Sequence, residues 1–414
     1  MSVKVYIDVL KNVDFTKLWI SQVTSQLTNY LLSFAILVQV FEQTQSSFKV
    51  GMIIFIFGLA TVFFGSMAGV YADRFDRQKI LTIINYLQAA AVASYLFFHS
   101  FWAIVIITFI YSALNQFYLP SEAPSIPNLV DKKHLLAANS YFATTASMSL
   151  IIGFAAAGPM IVLWGINSIF LTGATLLIIA GSATAMLPSL QPEENREVGE
   201  FGNIWKDFKK GLDYFLDSKK LHYPFYSLIA IQLINGIMIT IVPAFVEKII
   251  GVKLERNSIL IVAPLGVGIL TGTLILAYTS KRFLKEQLVR IGFIGMSAAI
   301  IFLSFTPYMN SKMYYYLIVS FVMGIFNAHI FPPSHSLLQG ESGDSQRGRV
   351  YGSLYVVLHV AATAPALLVG YLADKIYMPI IVAIAGVALL AIGQILFSFV
   401  LISKKDRNNL TDFI

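Results

Sequence analysis

Cysteine is absent from the 414 residues, which removes disulfides, thiol nucleophiles and Cys-ligated metals from consideration. Charge is scarce as well: 12% of residues are charged, where a soluble globular domain carries about 25%. A net charge of +7 could point to nucleic acid, but no basic patch is interleaved with a polar fold. The cations collect instead in alternate short loops, so nucleic acid is excluded as a partner. Residues 1–17 hold no short apolar core followed by a small-residue cleavage site, and nothing there reads as a removable signal peptide. Membrane-enzyme chemistry would need clustered carboxylates or a His–Asp pair at one membrane face, and the sequence offers a single embedded acid and no nucleophile motif. That argues against a polytopic membrane enzyme such as an acyl- or glycosyltransferase, and no cofactor or metal is expected.

What the chain has is apolar length. Hydrophobic residues make up 57% of it, with a mean hydropathy of +0.72. Twelve segments are long enough to cross a bilayer: 15–41, 47–72, 80–98, 101–130, 136–163, 166–187, 223–247, 257–279, 287–306, 313–338, 350–373 and 378–402. With both termini in the cytoplasm, 23 of the 29 Lys and Arg fall on the inner side, as the positive-inside rule requires. The expected location is the inner (plasma) membrane of a bacterium. The polar stretch 188–222 divides the chain into two six-span halves, 1–187 and 223–402, and leaves a cytoplasmic tail at 403–414. Within that stretch Phe201, Ile204, Trp205, Phe208, Leu212 and Phe215 recur at helical spacing. This predicts an amphipathic helix on the inner membrane face, in contact with lipid headgroups.

The halves read as diverged copies. Gln26-Leu-Thr-Asn29 matches Gln232-Leu-Ile-Asn235, and Pro120-Ser-Glu122 matches Pro333-Ser-His335. Tyr71-Ala-Asp73-Arg74 has an echo in Tyr278-Thr-Ser280-Lys281. Three matches in one order favour an internal repeat.

The link between the second and third spans runs Gly69-Val-Tyr-Ala-Asp73-Arg74-Phe-Asp-Arg77-Gln-Lys79. Read alone it is a positive-inside loop with a glycine that lets another helix come close. Its spacing, G-x3-D-R-x2-R-x-K, resembles the loop 2–3 signature of the major facilitator superfamily of secondary transporters. Three further stretches look like that superfamily's efflux branch, which includes macrolide-efflux proteins and enterobactin (siderophore) exporters. They are Phe15-Thr-Lys-Leu-Trp19-Ile-Ser-Gln22, Pro120-x6-Pro127-x-Leu129-Val130 with Leu135-x2-Ala138-Asn139, and Gln339 with Arg347-Gly-Arg349-Val-Tyr-Gly352. The Gly158-Pro159 pair resembles the family's exporter motif in the fifth span.

The resemblance implies an all-α membrane fold of twelve helices in two pseudo-symmetric halves, working as a monomer by alternating access. It also implies a cytoplasmic charge lock of Asp73, Arg74 and Arg77 against the start of the eleventh span, at Arg347 or Arg349. Two departures concern coupling. The fourth span lacks the Arg that many drug–proton antiporters carry, and the Gly-Asp often found in the first span is here Thr28-Asn29.

Polar side chains inside spans should face a cavity or one another. The first span offers Gln22, Ser25, Gln26 and Asn29 on one helix face, the fourth Asn115 and Gln116, the seventh Gln232 and Asn235, and the tenth Asn327. In the resembled family these four helices line the substrate cavity. The alternative is hydrogen-bonding glue between helices, worth about 0.6–2 kcal/mol per contact.

Glu122 is the one carboxylate well inside an apolar span. It can hold a proton there and release it when water reaches it, as a proton carrier must. His329, His335 and His359 are the other candidates, each with hydrogen-bonded packing as its alternative. Prolines 120, 124, 127, 332, 333 and 365 should break or bend their helices. The expected activity is proton-driven export of a small hydrophobic or amphipathic molecule, with a flippase or an importer of a lipid-linked or endogenous metabolite as the alternative.

Overall fold

The computed structural model describes residues 3–192, 204–309, 313–341 and 347–411, and every regular element among them is helical. In chain order these are α1 (Val3–Lys11), α2 (Val13–Thr44), α3 (Ser47–Arg74), α4 (Arg77–Ser94), α5 (Phe101–Asn115), α6 (Tyr118–Glu122), α7 (Ile126–Leu129), α8 (Leu135–Trp164) and α9 (Asn167–Ala185). The second part holds α10 (Ile204–Asp217), α11 (Lys219–Phe245), α12 (Leu254–Thr279), α13 (Lys285–Phe305), α14 (Met313–Glu341), α15 (Arg347–Thr363), α16 (Pro365–Lys375) and α17 (Met378–Thr411).

Helix is what a bilayer demands, because no water is present to satisfy a free backbone group. Eleven spans among the described residues are long and apolar enough to cross. The sequence's third span is the exception. It corresponds to α4, whose 18 residues include Gln78, Lys79, Asn85 and Gln88. These lower its hydropathy, yet Asn85 and Gln88 are buried against neighbouring helices and never meet lipid.

The prolines act unequally. Pro120, Pro124 and Pro127 break the fourth span into α5, α6, a 3-10 turn at Ala123–Ser125 and α7. Pro365 opens α16 and splits the eleventh span. Pro332 and Pro333, by contrast, lie inside an unbroken α14, so the break expected there does not occur. At the end of α11, Pro243 is followed by a π-helical turn, Val246–Ile250, closed by Gly251 at φ 78. That left-handed conformation suits glycine.

The chain forms two compact units, one comprising Met1–Thr44, Ile56–Ile204 and Leu254–Ile259, the other Gln45–Phe55, Trp205–Lys253 and Leu260–Ile414. The main boundary therefore falls inside the 188–222 stretch. In the first unit α2 packs on α8 and α9, and α4 on α5 and α9. In the second, α13 packs on α14 and α17, and α11 on α14 and α15.

The predicted amphipathic helix is α10; the side chains of Phe201, Ile204 and Trp205 lie outside the described residues, and the C-terminal part of its apolar face packs on protein. Phe215 is fully buried and stacks on Phe225 at 4.6 Å, in a cluster with Leu221, Leu354 and Leu358. The Ser353 hydroxyl also donates to the Phe208 carbonyl at 3.1 Å. Burying one such phenylalanine out of water is worth about 1.5–3 kcal/mol.

Candidate transport site

The loop between α3 and α4 is built around Arg77. Its side chain is 4% exposed. Nε donates to the Ala72 carbonyl at 3.0 Å, Nη1 reaches the Pro124 carbonyl at 3.4 Å, and Nη2 lies 3.7 Å from Asp73 Oδ1. The guanidinium thus ties the end of α3 to the broken fourth span. Arg74 and Lys79 are exposed. Among the described residues nothing lies within 4 Å of a Cβ placed on Gly69. The side chains of Arg347 and Arg349 lie outside the described residues.

Asp76, which the sequence reading passed over, organises the same loop. It caps α4 by accepting from Gln78 N at 3.0 Å, and it also accepts from Ser189 Oγ at 2.7 Å and Leu190 N at 2.9 Å. Partial burial opposes its charge, but these donors and nearby Lys79 outweigh that and hold the carboxyl below its usual range. An acid next to a helix start in D-R-x-D-R-Q is the available sequence signal for such a cap.

Glu122 stands at the end of α6, 2% exposed, with Oε1 lacking any hydrogen-bond partner among the described residues. Tyr118, one helical turn before it, interacts with its side chain. The Tyr118 hydroxyl is 2.9 Å from Ser21 Oγ on α2. Asn85 Nδ2 of α4 donates to Ser21 Oγ at 3.3 Å, and Ser25 Oγ donates to Asn85 Oδ1 at 2.9 Å. A chain of buried hydroxyl and amide groups thus runs from the carboxyl across α6, α2 and α4. The i, i+4 placement of Ser21 and Ser25 turns both toward Asn85.

The predicted cavity face of the first span is divided by this packing. Gln22 is 3% exposed and donates to the Phe142 carbonyl on α8 at 3.0 Å. It serves as helix-to-helix glue in this structure, because its face of α2 is turned toward α8. Gln26 and Asn29 are half-buried. In the fourth span Asn115 accepts from Gln88 at 3.4 Å, and Gln116 donates to the Ser112 carbonyl of its own helix at 3.3 Å.

In the second unit the structure joins Gln232 and Asn235, which the repeat picked out, to Asn327 of the tenth span. Asn235 Nδ2 donates to Gln232 Oε1 at 3.1 Å, and Asn327 Nδ2 reaches Asn235 Oδ1 at 3.5 Å, linking α11 to α14. All three are half-buried.

His329 Nδ1 lies 2.9 Å from the Ile325 carbonyl one turn back, and since a carbonyl only accepts, this nitrogen carries the hydrogen. That arrangement is the packing alternative. His335 lies 4.7 Å from the Phe331 ring and His359 4.2 Å from the Tyr355 ring.

Two other contacts have no local sequence signal. Arg290 donates from Nε and Nη2 to Gln394 Oε1 and lies 4.4 Å from the Phe397 ring. Asp374 of α16 accepts from Ser46 Oγ at 2.6 Å, Ser47 N at 2.7 Å and Phe48 N at 3.1 Å, so it caps the start of α3. The backbones come close here: a Cβ at Gly51 or Gly370 would strike the backbone of Ala366 or Ser47.

These features define a polytopic helical membrane protein that keeps polar groups inside its spans. A model of the Major Facilitator Superfamily matches residues 18–366, and the chain belongs to that superfamily. It is 25% identical to the uncharacterized MFS-type transporter YkuC of Bacillus subtilis (strain 168), over 77% of this chain and 76% of that one. It is 28% identical to macrolide efflux protein A of Streptococcus pyogenes over 45% of this chain, spanning about half (49%) of that relative. Identity to the lysophospholipid transporter LplT of Photorhabdus laumondii subsp. laumondii is 23%, over 80% of this chain and 81% of that one. In fold it is similar to the nucleoside transporter NupG (TM-score 0.75, 12% identity, 93% of this chain and 98% of that one). It is also similar to the POT family transporter PepTSo (TM-score 0.76, 8% identity, 95% and 99%). The family and these structural neighbours are transporters, and their substrates are not inferred from the fold.

Proposed function

We propose that the protein is a proton-driven exporter of a small hydrophobic or amphipathic compound, of the drug, macrolide or siderophore class. The carrying observation is Glu122, a buried carboxyl with one oxygen unpartnered and the other end of its surroundings wired through Tyr118 to Ser21 and Asn85. A buried acid is costly unless compensated, and taking up and releasing a proton supplies that compensation at each step of a transport cycle. In this reading Tyr118, held by Ser21, orients the carboxyl, while Gln232, Asn235 and Asn327 form the polar contact of the second unit with substrate. The loop bearing Asp73, Arg74, Arg77 and Lys79 is the cytoplasmic control point. The protein works as a monomer in the bacterial cytoplasmic membrane with both termini inside. Export and the macrolide class are supported by the similarity to macrolide efflux protein A.

The test is accumulation of macrolides, cationic dyes and catecholate siderophores in an efflux-deficient bacterium with and without the protein. Accumulation should fall when the protein is present and recover when a protonophore collapses the gradient. No change across the panel would overturn this reading. It would favour a second one, transport of a single-chain phospholipid, which the near full-length similarity to LplT supports.

A further inference from the structure

The turn between α12 and α13 carries charge that its own chain does not balance. Residues 279–290 hold four cations, Lys281, Arg282, Lys285 and Arg290, against one acid, Glu286, a net charge of +3. The matching window of the first half, 72–83, holds Arg74, Arg77 and Lys79 against Asp73 and Asp76, a net charge of +1. In the register that aligns Tyr71 with Tyr278, Ser280 and Phe283 stand where those two acids stand. Among the described residues none of Lys281, Arg282 and Lys285 makes an ion pair. Lys285 Nζ donates to a neutral hydroxyl, Ser336 Oγ, at 2.8 Å, and the Arg282 guanidinium lies 5.0 Å from the Tyr278 ring. All three cations are exposed.

The helix leading into this turn is open to lipid on one side. α12 packs on α14 through Gly268 and Gly272, where an added Cβ would strike the backbone of Phe321 and Ile325. Its other side presents Val267, Leu270, Leu274 and Tyr278 at helical spacing, all exposed. Only 17% of its apolar window is buried, the lowest share among the eleven spans. The stripe is about 16 Å long at 1.5 Å per residue, and Tyr278 joins it to Arg282. Phe283 and Leu284, exposed and apolar, lie between the cations. Any bilayer lipid can cover the stripe, but only an anionic headgroup also answers the charge. A soluble anion would answer the charge without using the stripe. The planar guanidinium of Arg282 suits phosphate oxygens in particular.

We infer that the α12–α13 turn is a binding site for an anionic glycerophospholipid, with Lys281, Arg282 and Lys285 on its phosphate and the α12 stripe along its acyl chain. The inference requires neither export nor proton coupling, so it stands or fails independently of the proposed function.

The test uses the full-length protein in phosphatidylcholine nanodiscs containing a minor share of phosphatidylglycerol with a diazirine in its acyl chain. Parallel discs carry the same tag on phosphatidylcholine. The ratio of the two labellings at peptides covering 267–285 reports headgroup preference, because acyl-chain contact cancels. That ratio should exceed the one at peptides covering 60–78 of the first half. Arg282→Gln should lower it about 5-fold, the worth of one cation at a lipid surface. Lys281→Gln, Arg282→Gln and Lys285→Gln combined should bring it to about one. Excess inorganic phosphate should leave it unchanged. Equal ratios at the two loops, no response to Arg282→Gln, or displacement by inorganic phosphate overturns the inference. The single substitution decides the matter even if the triple variant fails to fold.

Discussion

Replacing Glu122 with glutamine changes one atom's chemistry and almost none of the packing. The amide has the carboxyl's size, can keep a contact with Tyr118, and cannot exchange a proton. In the proposed mechanism one proton moves on the buried Glu122 carboxyl per cycle. One pH unit is then worth about 1.36 kcal/mol per proton, a tenfold concentration ratio. In everted vesicles with the lumen two units more acidic, protons leave as substrate enters, and the wild type should sustain up to roughly a hundredfold accumulation. The glutamine variant should relax to a ratio of about one, because it no longer couples the gradient, while still exchanging labelled for unlabelled substrate across the membrane. The assay is steady-state accumulation, at matched protein per vesicle, of whichever panel compound the wild type exports. Gradient-driven accumulation by the variant would refute the assignment and move coupling to His335 or His359.

Four other outcomes follow from the geometry. Arg77→Ala removes charged hydrogen bonds from a buried side chain and should lower stability by about 1.5–3 kcal/mol. Lys79→Ala in the same loop should stay within about 0.5 kcal/mol, and thermal unfolding of the two purified variants compares them. Asp76 should make that unfolding pH-dependent in one direction. Its folded value lies below its unfolded one, so its contribution is complete above about pH 4 and is lost as pH falls through the folded value. A wild-type-minus-Asp76→Asn difference that is flat from about pH 7 to 5 and shrinks below 4 is expected. Asp374→Ala removes the cap on α3 and should cost about 0.5–2 kcal/mol, seen as faster amide exchange at Ser47 and Phe48. Asp73→Asn should sharply reduce transport without reducing folded protein in the membrane; normal flux at normal expression would remove the control-point role of the loop.

What could be read from the chain alone was set by the solvent. A bilayer forces twenty-residue apolar helices, so eleven of the spans are legible. The α4 span was legible only as a member of the series, since Asn85 and Gln88 make it too polar by composition and their partners Ser21, Ser25 and Asn115 lie on other helices. Glu122 was visible because one acid in an apolar run stands out, whereas Tyr118 and Ser21 are ordinary residues until packing turns them together. The Asp374 cap joins residues 328 apart, and no local pattern carries such a contact.

The unpartnered atoms add a further constraint. Gln22 Oε1, Gln88 Oε1, Ser112 Oγ and Glu122 Oε1 of the first unit are all buried without a hydrogen-bond partner among the described residues. A protein held in one conformation would be selected to pair or remove them, because each costs about 1–3 kcal/mol. In a carrier that alternates between states, the same atoms can be paired in one state and free in the other, and the difference sets the gap between states. On that argument the polar belt shared by α2, α4 and the broken fourth span carries the conformational energetics of the first unit. Mutating Gln88 or Ser112 to an apolar isostere should therefore shift the balance between states more than it shifts the melting temperature.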